Sequence, residues 1–427
     1  MINELEQIAI GDLPENWRFI PLGEFCDFKG GTQPPKSTFL YEPRSGYVRL
    51  LQIRDFESDD YATYVQESPR LSRVDTDDVS IARYGASVGR VLTGKKGVLN
   101  VAIMTTLPDE SIVTKKFLYY ALQHQQFYRY LSGLGGRAAQ AGFNKGEISR
   151  FRFPVPPLPE QQKIAHILST VQRAIETQER IIATTTELKK TLMQKLFTEG
   201  LRGERQKETE IGSVPESWGV VPLGSLAKIG NGSTPKRDND DYWRGGKTPW
   251  LNSAKIHDLF ITEANQFITD LAIKECHLPR VSAGSLLIAI TGQGKTLGNT
   301  ALVNFETCIN QHLAYAQFSS ARVTPDFILW FMQTRYEHLR SIGAAGGSTK
   351  GALTCGYLKT YAIPVPSIEE QQEIANVFAT LDRKMKNHKS KRLMLTSVFR
   401  TLLHELMTGK TSVCELELVT LGITIHA

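Results

Sequence analysis

The amino-acid sequence contains one unit twice, and this repeat constrains the fold more than any other feature. The segment around Pro14 and Trp17, with Pro-Leu-Gly after it, returns 201 positions later around Pro215 and Trp218. The run Pro-Val-Pro, followed by Glu-Gln-Gln-x-Ile-Ala, lies within residues 154–165 and returns 210 positions later. A repeat of this length predicts two copies of one folding unit, with nine additional residues in the second copy.

The two copies share an apolar frame and differ in the polar residues between its positions. Residues 117–123 match residues 327–333, and Leu99-Asn100 matches Ile309-Asn310. A constant frame with a variable surface is typical of two recognition modules that bind separate targets.

Composition predicts a globular protein in a reducing compartment. A chain of 427 residues with 41% hydrophobic and 22% charged residues is long enough for two or three domains. It has no apolar run of about 20 residues and no basic, apolar amino terminus, so we expect neither a membrane span nor a secretion signal. The five cysteines form no Cys-x-x-Cys pair and the nine histidines lack metal-ligand spacing. We therefore expect a cytoplasmic protein without a metal site. The net charge of +6 permits nucleic-acid binding.

Local patterns predict an α+β domain, a small twisted mixed sheet with helices, used twice. Residues 79–84 and 285–290 are strand-like, and residues 115–131 and 325–342 are helix-like. The predicted domain boundaries are 1–157 and 214–367 for the two α+β domains, 158–199 and 368–409 for two long helices, 200–213 for a linker and 410–427 for a tail.

The two long segments carry a coiled-coil pattern. Between Pro159 and Phe197 there is no glycine or proline, and apolar residues recur every seven positions, as at Ile164 and Val171. Forty helical residues would extend about 60 Å. A long helix buried in an ordinary core is the alternative.

One polar position interrupts the apolar seam of each helix. Gln178 and His388 occupy equivalent places in the repeat, and a central polar pair can fix register. We expect the helices to pair antiparallel about a pseudo-twofold axis, with Glu176 and Glu179 beside the basic residues 383–392.

Catalytic signatures are missing. Residues 292–296, Gly-Gln-Gly-Lys-Thr, end like a phosphate-binding loop, but Ala289 stands where that loop needs glycine. The Pro-Pro pairs at 34–35 and 156–157 do not belong to an adenine-methyltransferase tetrad. We predict a non-catalytic chain.

Basic and glycine-rich loops at matching places in both copies are the candidate nucleic-acid contacts. Lys and Arg can neutralise phosphates, while Arg, Asn and Gln can pair with base edges. Solvated surface charge is the alternative for each residue taken singly. The candidates are Lys36, Arg49, Gln52, Arg54, Arg83, Tyr84, Arg137 and Lys145, with Lys236, Arg237, Asn252, Lys255, Gln293, Lys295, Ser348 and Lys350 in the second copy.

These motifs together resemble the DNA specificity subunit of type I restriction–modification systems over essentially the whole chain. The resemblance rests on Gly-x-(Leu/Val)-Pro-Glu-x-Trp with Pro-Leu-Gly, the Gly-(Thr/Ser)-x-Pro loop, and Pro-x-Pro before Glu-Gln-Gln-x-Ile-Ala and a heptad helix. The first glycine loop departs from it, because Gln33 stands where the second copy and the commoner family form have threonine.

The resemblance implies two target-recognition domains, separated by two antiparallel helices, that each read one half of an asymmetric bipartite DNA target. It further implies that two modification subunits with S-adenosylmethionine dock on the helices and methylate adenine. By the same resemblance, restriction subunits that use ATP and Mg²⁺ would join that assembly, and this chain would bind none of these cofactors. The alternatives are a bivalent protein-binding scaffold without DNA specificity and an enzyme with a degenerate ATP loop.

Overall fold

The computed structural model describes residues 13–134, 142–292, 295–345 and 352–413. Contacts divide the chain into two compact units. The first unit consists of residues 1–179 with 389–427, and the second consists of residues 180–388. Each unit therefore combines one α+β domain with one half of each long helix.

The first α+β domain contains ten strands and three short helices among its described residues. The strands are β1 Arg18–Pro21, β2 Cys26–Gly30, β3 Tyr47–Leu51, β4 Thr63–Gln66, β5 Arg73–Val74, β6 Ser80–Ala82, β7 Val91–Leu92, β8 Gly97–Leu99, β9 Ile103–Pro108 and β10 Arg152–Val155. The helices are α1 Lys115–Ala121, α2 Gln125–Leu134 and α3 Lys145–Ser149, and the long helix α4 Leu158–Glu199 follows.

Two four-stranded sheets build the core of this domain. Their strand orders are β2-β9-β6-β7 and β4-β3-β8-β5, and only β3 and β8 run parallel, so the second sheet is mixed. Neighbouring residues of a strand face opposite sides. Ile81 and Met104 accordingly pack towards the helices, while Ala82 and Ile103 pack against Leu51 of the second sheet.

The second α+β domain repeats this plan with one sheet of five strands and one of three. Its described elements are β11 Gln206–Thr209, β12 Gly212–Pro215, β13 Gly219–Pro222, β14 Ala227–Asn231, α5 Asp240–Trp243, β15 Thr248–Leu251, β16 Phe260–Ile261, β17 Gln266–Ile268, α6 Asp270–Glu275, β18 Ser285–Ala289, β19 Thr300–Val303, β20 Cys308–Ile309, β21 Leu313–Phe318, α7 Pro325–Thr334, α8 Tyr336–Ala345, α9 Cys355–Thr360 and β22 Ala362–Val365, followed by the long helix α10 Ile368–Met407. The strand orders are β14-β21-β18-β19-β16 and β17-β15-β20. Strand β18 is buried throughout because apolar layers cover both of its faces.

The repeated Trp and Glu-Gln motifs anchor each long helix to its domain. Trp17 Nε1 donates to Glu160 at 3.1 Å, and Trp218 Nε1 donates to Glu370 at 3.2 Å. The buried Gln161 accepts from the Thr114 backbone at 2.9 Å and donates to the carbonyls of Ile112 and Pro156, both at 2.8 Å. Gln371 makes the three equivalent bonds, with the Thr324 backbone and the carbonyls of Arg322 and Pro366. These shared residues therefore have a structural role.

In the first unit the early part of α4 packs with the late part of α10. Ile164, Leu168 and Val171 share a core with Leu402 and Leu406 of α10 and with the domain. Glu179 lies 3.7 Å from Arg392, which confirms the predicted neighbourhood of Glu179 and the basic run.

In the second unit the late part of α4 packs antiparallel to the early part of α10. The Phe197 and Phe378 rings stack at 5.8 Å, Lys189 pairs with Asp382 at 3.0 Å, and Glu370 accepts from the Leu201 backbone at 2.9 Å. The predicted α+β class with two long antiparallel helices is confirmed. Gln178 is buried in the first unit and His388 is half-buried in the second, and their pairing stays a prediction.

The prediction of one helix over residues 115–131, and of another over residues 325–342, is wrong in one respect. Each segment forms two helices, with breaks between α1 and α2 and between α7 and α8. The backbone N–H groups of Gln123 and His124 donate to the carbonyls three residues back, and this turn places Phe127 against Phe151 and Phe153. Tertiary packing thus ends a helix where the sequence has no glycine or proline. No described helix meets the length and hydropathy that a membrane crossing requires.

Candidate nucleic-acid interface

A turn that begins at the buried Asn100 joins the strand ends of the first domain. The Asn100 backbone donates to Leu51 at the end of β3 at 3.0 Å, and the Asn100 side chain accepts from the Ala102 backbone at 2.9 Å. Ile103, which begins β9, donates back to the Asn100 carbonyl at 2.9 Å. We call residues 100–102 the first asparagine turn.

The first glycine loop, residues 30–36, lies on this turn. The Gly31 backbone donates to Ile103 at 2.9 Å, and Asn100 Nδ2 donates to Gln33 Oε1 at 2.5 Å. A Cβ atom on Gly31 would collide with the Asn100 carbonyl oxygen, so this close approach requires glycine. Gln33 therefore takes part in the turn, where the family pattern has threonine.

Arg83 and Tyr84 reach the same turn from the end of β6. The Arg83 backbone donates to Ala102 at 2.8 Å, and the Arg83 guanidinium lies 4.9 Å from the centre of the Tyr84 ring. The backbone of Tyr84 bridges to Gly142, which brings the segment before Lys145 to this place. Three of the loops that the sequence singled out therefore converge.

The second domain builds the same arrangement around Asn310. The Asn310 backbone donates to Leu251 at 3.0 Å, and Ser233 of the second glycine loop, residues 231–237, donates to Ile309 at 3.0 Å. Ile290, after β18, donates to the His312 carbonyl at 3.0 Å. Residues 310–312 are the second asparagine turn.

Four polar side chains form a hydrogen-bonded row on the second asparagine turn. Thr234 Oγ1 donates to Gln311 Oε1, and Gln311 Nε2 lies 3.3 Å from His312 Nε2. His312 Nδ1 lies 2.5 Å from Thr291 Oγ1. We call Thr234, Gln311, His312 and Thr291 the polar row. Gln311 and His312 are exposed, so their outward atoms are open to a ligand.

Two tryptophans hold Arg237 of the second glycine loop. Its guanidinium lies 4.0 Å from the Trp243 ring and 4.7 Å from the Trp250 ring, and the two rings meet edge to face at 5.2 Å. The Trp243 Nε1 donates to the Lys236 carbonyl at 2.9 Å. Such cation–π contacts orient the cation without neutralising it.

Six of the nine described candidate cations have no carboxylate within ion-pair distance among the described residues. They are Lys36, Arg54, Arg83, Lys236, Arg237 and Lys295. These side chains remain available to phosphates, with Arg54 lying over the Tyr61 ring at 5.2 Å.

The other three candidate cations are already paired. Arg49 contacts the buried Asp55 at 3.3 Å and Asp59 at 2.6 Å, and Lys255 lies 3.7 Å from both Asp258 and Glu263. Lys145 pairs with Asp27, and its hydrogen bond lowers the pKa of that carboxyl. These contacts give Arg49, Lys145 and Lys255 a structural role as well.

The remaining candidates divide into placed and undescribed residues. Asn252 accepts from the Ala254 backbone at 3.0 Å, and Gln52 donates to Thr63 at 3.4 Å, so both side chains shape the turns after β15 and β3. Four candidates lie outside the described residues, namely Arg137, Gln293, Ser348 and Lys350.

The described residues contain no cluster of candidate metal ligands, and two of their cysteine thiols are buried. No group of three or more His, Cys, Asp or Glu side chains that could hold a metal ion occurs in the parts of the chain that the structure describes. Burial raises the pKa of Cys26 to about 12 and that of Cys308 to about 11, so both thiols stay protonated near neutral pH.

Sequence reasoning missed Gln311, His312 and Thr291. A signal was present, because Asn100 and Asn310 match across the repeat and the two residues after them differ in kind, Val-Ala against Gln-His. This difference could be interpreted only with the structure, in which Gln311 and His312 occupy the turn where the loops converge.

The family model and two of the relatives that match this chain carry similar descriptions. The model for the family described as "Type I restriction modification DNA specificity domain" matches residues 14–186 and 215–395. The type I restriction enzyme MjaVIII specificity subunit of Methanocaldococcus jannaschii is 23% identical over 406 residues, which cover 94% of this chain and 94% of that protein. The MjaIX specificity subunit of the same organism is 31% identical over 209 residues, covering 48% of this chain and 47% of that protein.

A solved structure shares the fold. The crystal structure of the type I restriction–modification S subunit from M. genitalium matches with a TM-score of 0.62 at 17% identity. The match covers 94% of this chain and 98% of that chain.

Proposed function

This chain belongs to the family of type I restriction–modification DNA specificity domains, and we propose from that premise that it supplies the DNA sequence specificity of a type I complex. The observation that carries the proposal is the convergence of matching loops on an asparagine turn in both domains. Loops that converge on a rigid scaffold are a common way to present recognition side chains. We propose that each domain reads one half of a bipartite DNA target.

The two halves of the target should differ. The first asparagine turn presents Val101 and Ala102, whereas the second presents Gln311 and His312, and these side chains offer different contacts to base edges. Unlike side chains on like scaffolds support an asymmetric site. The glycine loops add Lys36, Lys236 and Arg237 for phosphate contacts, which position the protein without selecting bases.

We propose that the chemistry belongs to partner subunits. Two modification subunits would carry S-adenosylmethionine, and restriction subunits would use ATP and Mg²⁺. The long helices α4 and α10 would serve as the spacer between half-sites and as a docking surface for the modification subunits. Half-sites read from one face of DNA lie about 34–36 Å apart.

The test is DNA binding by the full chain together with its modification subunits. We expect the complex to prefer one duplex sequence over scrambled duplex. We also expect its affinity to fall steeply with salt, because each neutralised phosphate lowers the slope of log affinity against log salt concentration by about 0.9. The same complex with a salt-independent or absent DNA affinity would contradict the proposal. A complex that instead bound two protein partners would support the scaffold alternative.

A further inference from the structure

We infer that Gln311 reads an adenine in the half-site of the second domain, with Thr234 and His312 as positioning residues. This inference rests on the proposed function and deepens it, because it names the residue and the base. The carrying feature is the polar row, which orients the Gln311 amide while leaving part of it open.

The hydrogen-bonding groups of the Gln311 amide that remain unused match the major-groove edge of adenine. A glutamine side chain has two N–H donors and an oxygen that can accept two hydrogen bonds. Thr234 uses one acceptor position of Oε1, and the neighbouring His312 Nε2, at 3.3 Å, uses one donor of Nε2. One acceptor and one donor remain. Adenine presents the complementary pair in the major groove, the N6 amino donor and the N7 acceptor.

In the structure the two ends of the amide face different partners of the polar row. Because the Thr234 hydroxyl donates to Oε1, the oxygen lies on the side of the glycine loop and the nitrogen lies on the side of His312. His312 is itself fixed by Thr291 at 2.5 Å. A side chain that is ordered before binding loses less conformational entropy when it meets the base edge.

The equivalent position of the first domain cannot make this contact. Val101 matches Gln311 in the repeat, is 38% exposed, and has no hydrogen-bonding side chain. The adenine contact is therefore specific to the second half-site, and the first domain must select bases differently.

The experiment compares the full chain and a Gln311→Ala variant, each with its modification subunits, on a duplex DNA library with both half-sites randomised. The second half-site is the one that changes when residues 214–363 are replaced by those of a relative. We expect the variant to lose discrimination by about 5- to 150-fold at one A·T pair of the second half-site, with all other positions unchanged. Gln206→Ala, an exposed glutamine of the same unit, is the matched control and should leave every preference intact.

Two further variants separate base reading from a general effect on folding. Gln311→Glu keeps the shape but replaces the N–H donors by an acceptor, so it should lose the preference for adenine at the same pair. Thr234→Val removes the hydroxyl that contacts the amide and should weaken that preference. Thr234→Ser keeps a hydroxyl and should retain it.

The outcomes also distinguish this inference from the proposed function. A wild-type complex without sequence preference would contradict both. A selective wild-type complex whose preferences stay the same in Gln311→Ala and Gln311→Glu, or whose second half-site specifies no A·T pair, would overturn the inference and leave the proposed function standing.

Discussion

Two side chains of the second domain offer different kinds of contact. Arg237 lies on the rings of Trp243 and Trp250 and has no acidic partner among the described residues, so its charge faces outward unneutralised. Gln311 is exposed and uncharged, and its row of hydrogen bonds leaves a donor and an acceptor. We therefore propose phosphate binding for Arg237 and base selection for Gln311.

Replacement of Arg237 by alanine should weaken binding to all duplex sequences to a similar degree. The slope of log affinity against log salt should fall by about 1, because one phosphate contact is lost. Fluorescence anisotropy over a salt series measures both quantities. Arg280→Ala is the control, since Arg280 already pairs with Glu306 at 2.7 Å and Asp270 at 3.2 Å. A changed base preference in Arg237→Ala would contradict this assignment.

His124 should make the stability of the first unit depend on pH. Burial, with smaller contributions from His404 at 3.2 Å and from Arg129, lowers the pKa of His124 to about 4. The unfolded chain, with an ordinary pKa near 6.5, then binds more protons between about pH 6.5 and 4. Stability is therefore complete above this window and falls by on the order of 3 kcal/mol as pH drops through it.

Urea unfolding between pH 7 and pH 4 tests this prediction. His124→Asn should flatten the pH dependence of the free energy of unfolding, and His166→Asn, at an exposed site on α4, should not. An equal pH dependence in wild type and His124→Asn would show that His124 is not the titrating group.

At the scale of elements, the two long helices were predicted well from the sequence. Heptad spacing and the absence of glycine and proline sufficed, because helix α4 depends on local pattern. The break between α1 and α2 could not be predicted, because Phe127 meets Phe151 and Phe153 only after folding. The ion pairs of Arg49 and Lys255 were likewise hidden, since Asp59 and Glu263 become partners through the turns between them.

Loss of Gln161, which anchors helix α4 to the first domain, should lower stability strongly. Gln161→Ala leaves the Thr114 N–H and the carbonyls of Ile112 and Pro156 without this partner, which should cost about 1–3 kcal/mol for each group left unsatisfied. The adjacent exposed Gln162→Ala should change the free energy of unfolding by less than about 0.5 kcal/mol. Denaturant unfolding compares the two, and equal effects would contradict the anchoring role.

Across the whole molecule, the repeat gives two similar units in which shared residues anchor the long helices and the residues at the asparagine turns differ. Trp17 with Glu160 and Trp218 with Glu370 are interchangeable in role, whereas Val101 and Gln311 are not. The candidate site could be predicted as a set of loops from the sequence. Gln311, His312 and Thr291 could not be predicted, because their proximity depends on strand order and not on spacing along the chain.

The most direct test of the central claim is an exchange of residues 214–363 for the matching domain of a relative, followed by mapping of the methylated adenines that the reconstituted complex produces. We predict that one half of the target changes while the other half is retained. A change in both halves, or in neither, would contradict the claim that each domain reads its own half of the DNA.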